Sequence, residues 1–189
     1  AEVVTPNELV QLMTDTIPHD IAFDLDFTDA DFQTPEMNLV GDAFWATDND
    51  ALFLPDPQRL RLTYNAGGLV GSAWSTTPFD ASKSWHTIFR FQMTYPAFGG
   101  ADGLGFHVHH DGVGANPGHE GGSLSNPRLS VLVDTWNNGP EGTDESLRVI
   151  LNGTQIYIND LLDFAPDPNP GSSPNVFRME LSYIAAEAK

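Results

Sequence analysis

The chain has no cysteine, few basic residues and no long apolar run. Zero Cys excludes disulfides and thiolate metal sites, and leaves any stability to the core alone. Only 8 Lys+Arg stand against 26 Asp+Glu, a formal charge of −18 and a pI near 4.2. Such a chain repels phosphates and anionic lipid, so nucleic acid and acidic membranes are poor partners. No stretch is long and apolar enough for a spanning helix. What is present is a 40% hydrophobic composition over 189 residues, enough for one sizeable core. Residue 1 is Ala rather than Met, which reads as a processed chain or a cut-out piece, with any signal peptide already gone. The expected location is extracellular or the cell surface.

Gly (17) and Pro (14) punctuate short runs in which apolar and polar residues alternate. Ile21, Phe23, Leu25 and Phe27 form one such run. Phe89, Phe91, Met93 and Tyr95 form a second, and Phe177, Met179, Leu181 and Tyr183 a third. Shorter runs fall at Leu60–Thr63, Leu104–His109, Leu129–Thr135 and Leu147–Leu151. A period of two is the mark of a strand with one wet face. Many such runs between turn residues predict an all-β, two-sheet antiparallel sandwich or barrel. The exception is the start, where Thr5 can cap a short helix, Pro6 open it and Glu8 close a capping box, with Leu9, Leu12 and Met13 at helical spacing. Residues 1–20 are thus expected as a helix or linker and 21–189 as the β domain. The segment Ala165–Asn175, with four Pro and one Gly, reads as a rigid loop.

Several stretches carry chemistry. Ala101-Asp102-Gly103-Leu104-Gly105-Phe106 places an acid in a glycine turn before a strand. Gly121-Gly122 follows, and then Asp134-Thr135-Trp136-Asn137-Asn138 at a strand end. Asp102 alone reads most simply as a turn residue, and Asp134 and Asn138 as an Asx turn around Trp136. Trp136 fits a core position or a ligand platform equally well. His107, His109 and His110 suggest a metal cluster, but without a clear third ligand they read as polar groups lining a pocket or a wet face. His119 and Glu120 read as loop residues. Asn152-Gly153-Thr154 matches a glycosylation acceptor and is read as unused.

In order along the chain, these stretches resemble the L-type, legume-lectin-like lectins. The Phe-rich strand ending at Phe27 comes first, then Leu39-Val40-Gly41-Asp42-Ala43, Leu60–Thr63, and Gly71-Ser72-Ala73-Trp74 before Pro78. Phe89–Met93, Ala-Asp-Gly-Leu, Gly-Gly and Asp-Thr-Trp-x-Asn complete the series. His109-x-Asp111 is closer to the bacterial members. The resemblance implies a jelly-roll sandwich, with a Ca²⁺ site beneath a shallow pocket for neutral oligosaccharides or glycoconjugates. It implies that Asp102, Gly121, Gly122, Trp136 and Asn138 meet the sugar, and that Asp134, the Trp136 carbonyl, Asn138 and Asp144 (or Glu141) hold Ca²⁺. It also implies a cis Ala101–Asp102 peptide. It further implies a domain continuing past Lys189, so that the chain lacks its last strands and a second chain or C-terminal fragment completes the sandwich.

Elementary chemistry suits those roles. A carboxylate and an amide bind neighbouring hydroxyls, and an aromatic face covers a C–H face. Glycine admits close backbone approach. Ca²⁺ takes roughly 6–8 oxygens from carboxylate, carbonyl and water. The family's adjoining transition-metal site needs a Glu two residues before the Asp, here Leu132, and a His that falls at Ser146 or Arg148. That second site reads as dismantled, with the Arg148 guanidinium a candidate fixed charge in its place. Related sandwiches also house glycan hydrolases and lyases, but these need paired carboxylates on one strand face. Leu132-x-Asp134-x-Trp136 offers one acid. The expectation is calcium-dependent sugar binding without catalysis, the alternative a structural or interaction domain that has lost its sugar.

Overall fold

The computed structural model describes residues 36–46, 59–64, 66–93, 102–136, 145–160 and 176–185. It is all-β, with antiparallel pairing throughout the described strands. In chain order they are β1 (Met37–Gly41), β2 (Phe44–Ala46), β3 (Arg59–Arg61), β4 (Gly71–Ser75) and β5 (Trp85–Gln92). They continue with β6 (Gly103–Val108), β7 (Leu129–Asp134), β8 (Ser146–Leu151), β9 (Thr154–Asn159) and β10 (Val176–Tyr183). The helix expected near Thr5–Met13 and the strand expected at Ile21–Phe27 lie outside the described residues, as does the proline-rich loop. Among the described residues no helix is long and apolar enough to cross a membrane.

Four strands pair in the order β6-β7-β8-β9. The register sets two opposite faces, because residues paired across antiparallel strands point the same way. Leu104, Phe106, Val131, Val133, Leu147 and Val149 share the apolar face. Val131 and Val133 are buried there. Each such burial contributes about 1.5–3 kcal/mol. Phe106 stacks on Phe89 of β5 with ring centroids 5.6 Å apart, and meets Trp85 at 6.3 Å. The β5–β10 ladder thus turns its aromatic side toward this sheet, while Ile88 and Arg90 on its other side are exposed. Alternation along Phe89–Phe91 and Phe177–Tyr183 encoded that division.

The opposite face is built differently. Gly105, Leu132 and Arg148 align across it, followed by Gly103, Asp134 and Ser146. Ser130, Asp134, Ser146 and Arg148 are all buried, so this face is largely polar and closed from water. The cover is the long segment 109–128. It is pinned to β4 by the Trp74 indole N–H donating to the Ala115 carbonyl (2.6 Å) and the Ser72 hydroxyl to Asn116 Oδ1 (2.9 Å). Trp74 also packs edge-on against His109, with centroids 4.3 Å apart.

Strand β9 was not foreseen. Asn152 and Gly153 both have positive φ (51° and 80°), and link β8 to β9 in a tight hairpin. Asn-Gly is a strong two-residue hairpin signal, so the apparent glycosylation triplet sits at a turn.

Candidate functional site

Of the expected site residues, Asp102, Asp134 and Trp136 lie where β6 begins and β7 ends. Gly103 pairs with Asp134, and the Asp102 carbonyl accepts the Thr135 N–H at 3.0 Å. That bond extends the ladder by one step beyond the strands. It places the exposed Asp102 beside the segment carrying Trp136, which is 47% exposed. Trp136 is therefore a surface ring and not a core one. Asn138, Asp144 and its alternative Glu141, together with Ala101 and the peptide it forms with Asp102, lie outside the described residues.

Asp134 is 1% exposed and has partners on both oxygens. Its Oδ1 accepts the Trp136 N–H at 3.1 Å, the Asx turn that its spacing allows. Its Oδ2 faces Arg148 Nη2 at 3.1 Å. The same Nη2 lies 3.1 Å from Glu120 Oε1. One guanidinium nitrogen, on a residue 4% exposed, therefore ties two carboxylates from β7 and the covering segment to β8. The sequence left the family's metal-histidine position at either Ser146 or Arg148. Nothing in its spacing revealed Glu120, which lies 28 residues away in a loop. Across the ladder from Asp134, the Ser146 hydroxyl is buried and has no hydrogen-bond partner among the described residues.

The two glycines do different things. Gly121 is buried at φ +64°, and its N–H donates to the Gly118 carbonyl at 3.3 Å. A Cβ there would lie 2.8 Å from the His107 ring and 3.1 Å from Ser130 Oγ. Its carbonyl accepts from Arg128 Nη1, which also donates to the Leu124 carbonyl at 2.6 Å. Gly122 is exposed, and open space surrounds its Cβ position.

His107 explains why Gly121 must be glycine. Its Nδ1 and the Ser130 hydroxyl are 2.9 Å apart, and burial, with the charge of His109 as the next cause, pushes its pKa down to about 4. It is neutral at pH 7 and acts as a packed polar wedge. His109 is shifted down as well, chiefly by burial. No group of three or more His, Cys, Asp or Glu able to hold a metal exists among the described residues. Asp111, beyond them, accepts the Ser125 N–H at 2.7 Å and staples the covering segment to itself.

No protein-family model matches this chain, and no curated protein matches it.

Proposed function

We propose that this chain is a secreted or cell-surface carbohydrate-binding module, a lectin or adhesin domain without catalysis, on a two-sheet jelly-roll sandwich. The observation that carries the reading is the Thr135 N–H bond to the Asp102 carbonyl. It joins the backbone of the exposed Asp102 to the segment that carries the half-exposed Trp136. Such a pair meets both surfaces of a neutral sugar, the carboxylate taking hydroxyls and the ring a C–H face. Gly122 offers unobstructed backbone approach, and Gly121 shapes the turn beneath it. Asn138 completes the pocket in this reading.

Ca²⁺ belongs to the proposal as its structural ion. Asp134, the Trp136 carbonyl, Asn138 and Asp144 would hold it, with Glu141 the alternative acid. Two features support a single cation beside Asp134. A carboxylate offers about four acceptor positions, and Trp136 N–H and Arg148 take two. The buried Ser146 hydroxyl opposite is an unsatisfied donor and acceptor. A second ion on the Arg148 side does not fit, because a guanidinium already sits 3.1 Å from that oxygen. When bound, the ion would fix the loop that carries Asn138. Titration of a glycan-array hit before and after chelation tests the reading. Saturable binding that disappears with the metal is expected. No binding to any glycan would return the chain to the structural or interaction role.

A further inference from the structure

Strand β9 ends the β6-β7-β8-β9 sheet, and among the described residues β8 is its one neighbour. An end strand presents a row of backbone N–H and C=O groups along its outer edge. Five of its six residues are exposed, and a bulge opposite Val149 and Ile150 leaves Ile156 out of the β8 register. Ile156 is the most exposed large apolar side chain among the described residues, with Tyr157 and Ile158 exposed beside it. Natural edges are blunted by charge, proline or a bulge. The outer side of the β5–β10 ladder carries Arg90, Arg178 and Glu180. Strand β9 has its bulge but neither of the other devices. Residues 149–159 include no charged residue and no proline, in a chain of net charge −18.

We propose that β9 is the contact through which two copies of this chain associate, edge to edge and antiparallel, about a two-fold axis at Tyr157. The strand is a palindrome of side-chain classes, Gln155-Ile156-Tyr157-Ile158-Asn159. A two-fold contact needs such self-complementarity. About that axis Tyr157 meets its copy, Ile156 meets the second copy's Ile158, and Gln155 meets its Asn159. No charge faces a like charge along these pairs, which matters between two molecules of −18 each. The excess of acids elsewhere would draw a basic partner away from a neutral strip, so the strip favours the like-charged copy. One strand edge buries less than about 1,200 Å², so the pair is weak and concentration-dependent. The pairing is independent of sugar binding, and neither stands on the other.

The test exploits the lack of cysteine. Tyr157→Cys gives the full chain a single thiol on the axis, where facing Cα atoms fall within the roughly 4.4–6.8 Å that a disulfide spans. Thr154→Cys, also exposed, is the control on the same strand. The same axis would hold its two copies about 20 Å apart, at about 3.4 Å per residue. Under mild oxidation Tyr157→Cys should cross-link into dimers at least about tenfold faster than Thr154→Cys. Sedimentation of wild type should show a mass rising from 20.6 kDa toward twice that value with concentration. Association should tighten between about 0.01 M and about 1 M salt, as the Debye length falls from about 30 Å to about 3 Å and two acidic chains cease to repel. Tyr157→Lys and Tyr157→Glu each set like charges opposite and should abolish self-association, while their mixture should restore it. A monomer at every concentration up to about 1 mM overturns the proposal and gives the edge to a segment of the same chain. Equal cross-linking at the two positions, or no recovery in the mixture, overturns it as well.

Discussion

Gly121 and Gly122 are adjacent and chemically identical, yet an added methyl group should be costly at the first and nearly neutral at the second. At Gly121 the backbone sits at φ +64°, which costs an L-residue about 1–2 kcal/mol. The new Cβ would stand 2.8 and 2.9 Å from two atoms of the His107 ring. That ring does not swing away cheaply, since it is packed under the covering segment and bonded to Ser130. Overpacking of this kind costs about 1–3 kcal/mol more. The total for Gly121→Ala is then about 2–5 kcal/mol, a large share of a typical 5–15 kcal/mol stability. At roughly 2–4 °C per kcal/mol for a chain of this size, the melting temperature should fall by about 5–20 °C. Gly122→Ala has open space and should stay within about 0.5 kcal/mol of wild type. Thermal and urea melts of both variants measure the difference. Equal effects, or a neutral Gly121→Ala, would refute the packing of this turn against His107.

Three further outcomes follow from the same contacts. Because His107 titrates near 4 in the fold and near 6.5 unfolded, its contribution is whole above pH 6.5. It is lost as pH falls toward 4, by up to about 3 kcal/mol. Urea unfolding at pH 7.5 and 4.5 should show that loss, and His107→Gln should flatten it. Arg148→Met leaves Asp134 buried and unpaired, and should cost about 3–5 kcal/mol. Asp134→Leu combined with Arg148→Met should recover most of that in a double-mutant cycle. Under the calcium proposal, Ca²⁺ at about a hundred times its Kd should add about 2.7 kcal/mol of stability. A melting temperature indifferent to Ca²⁺ and EDTA would remove the ion from the account.

The strands were legible where one face is apolar and the other wet. Phe89–Phe91 and Phe177–Tyr183 alternate because only one side of that ladder meets Phe106. Strand β9 escaped because Thr154–Tyr157 are all exposed and Ile156 is 59% exposed. No buried face imposed a pattern there, and its only signal was the Asn152-Gly153 turn. The pairing of the Asp102 and Thr135–Trp136 segments was readable for a local reason. Asp102 lies one residue and Trp136 two residues beyond strand ends whose register the alternation already implies. The polar, buried face was not readable. Its partners, Glu120 to Arg148 and His107 to Ser130, join residues 28 and 23 apart through a loop and a neighbouring strand. Such pairings depend on the path of the covering segment, which hydrophobic periodicity does not encode.

The measurement closest to the central claim is calorimetric titration of one glycan hit into wild type, Asp102→Ala and Trp136→Ala. Both side chains are exposed, Trp136 at 47%, so both variants should stay folded, and the Asp102→Ala melting temperature should match wild type within about 2 °C. A sugar seated between carboxylate and indole should lose affinity at least about tenfold in each variant, since each removes a contact worth about 1.5 kcal/mol or more. Wild-type affinity in both variants would put the binding surface elsewhere and contradict the assignment of this strand end.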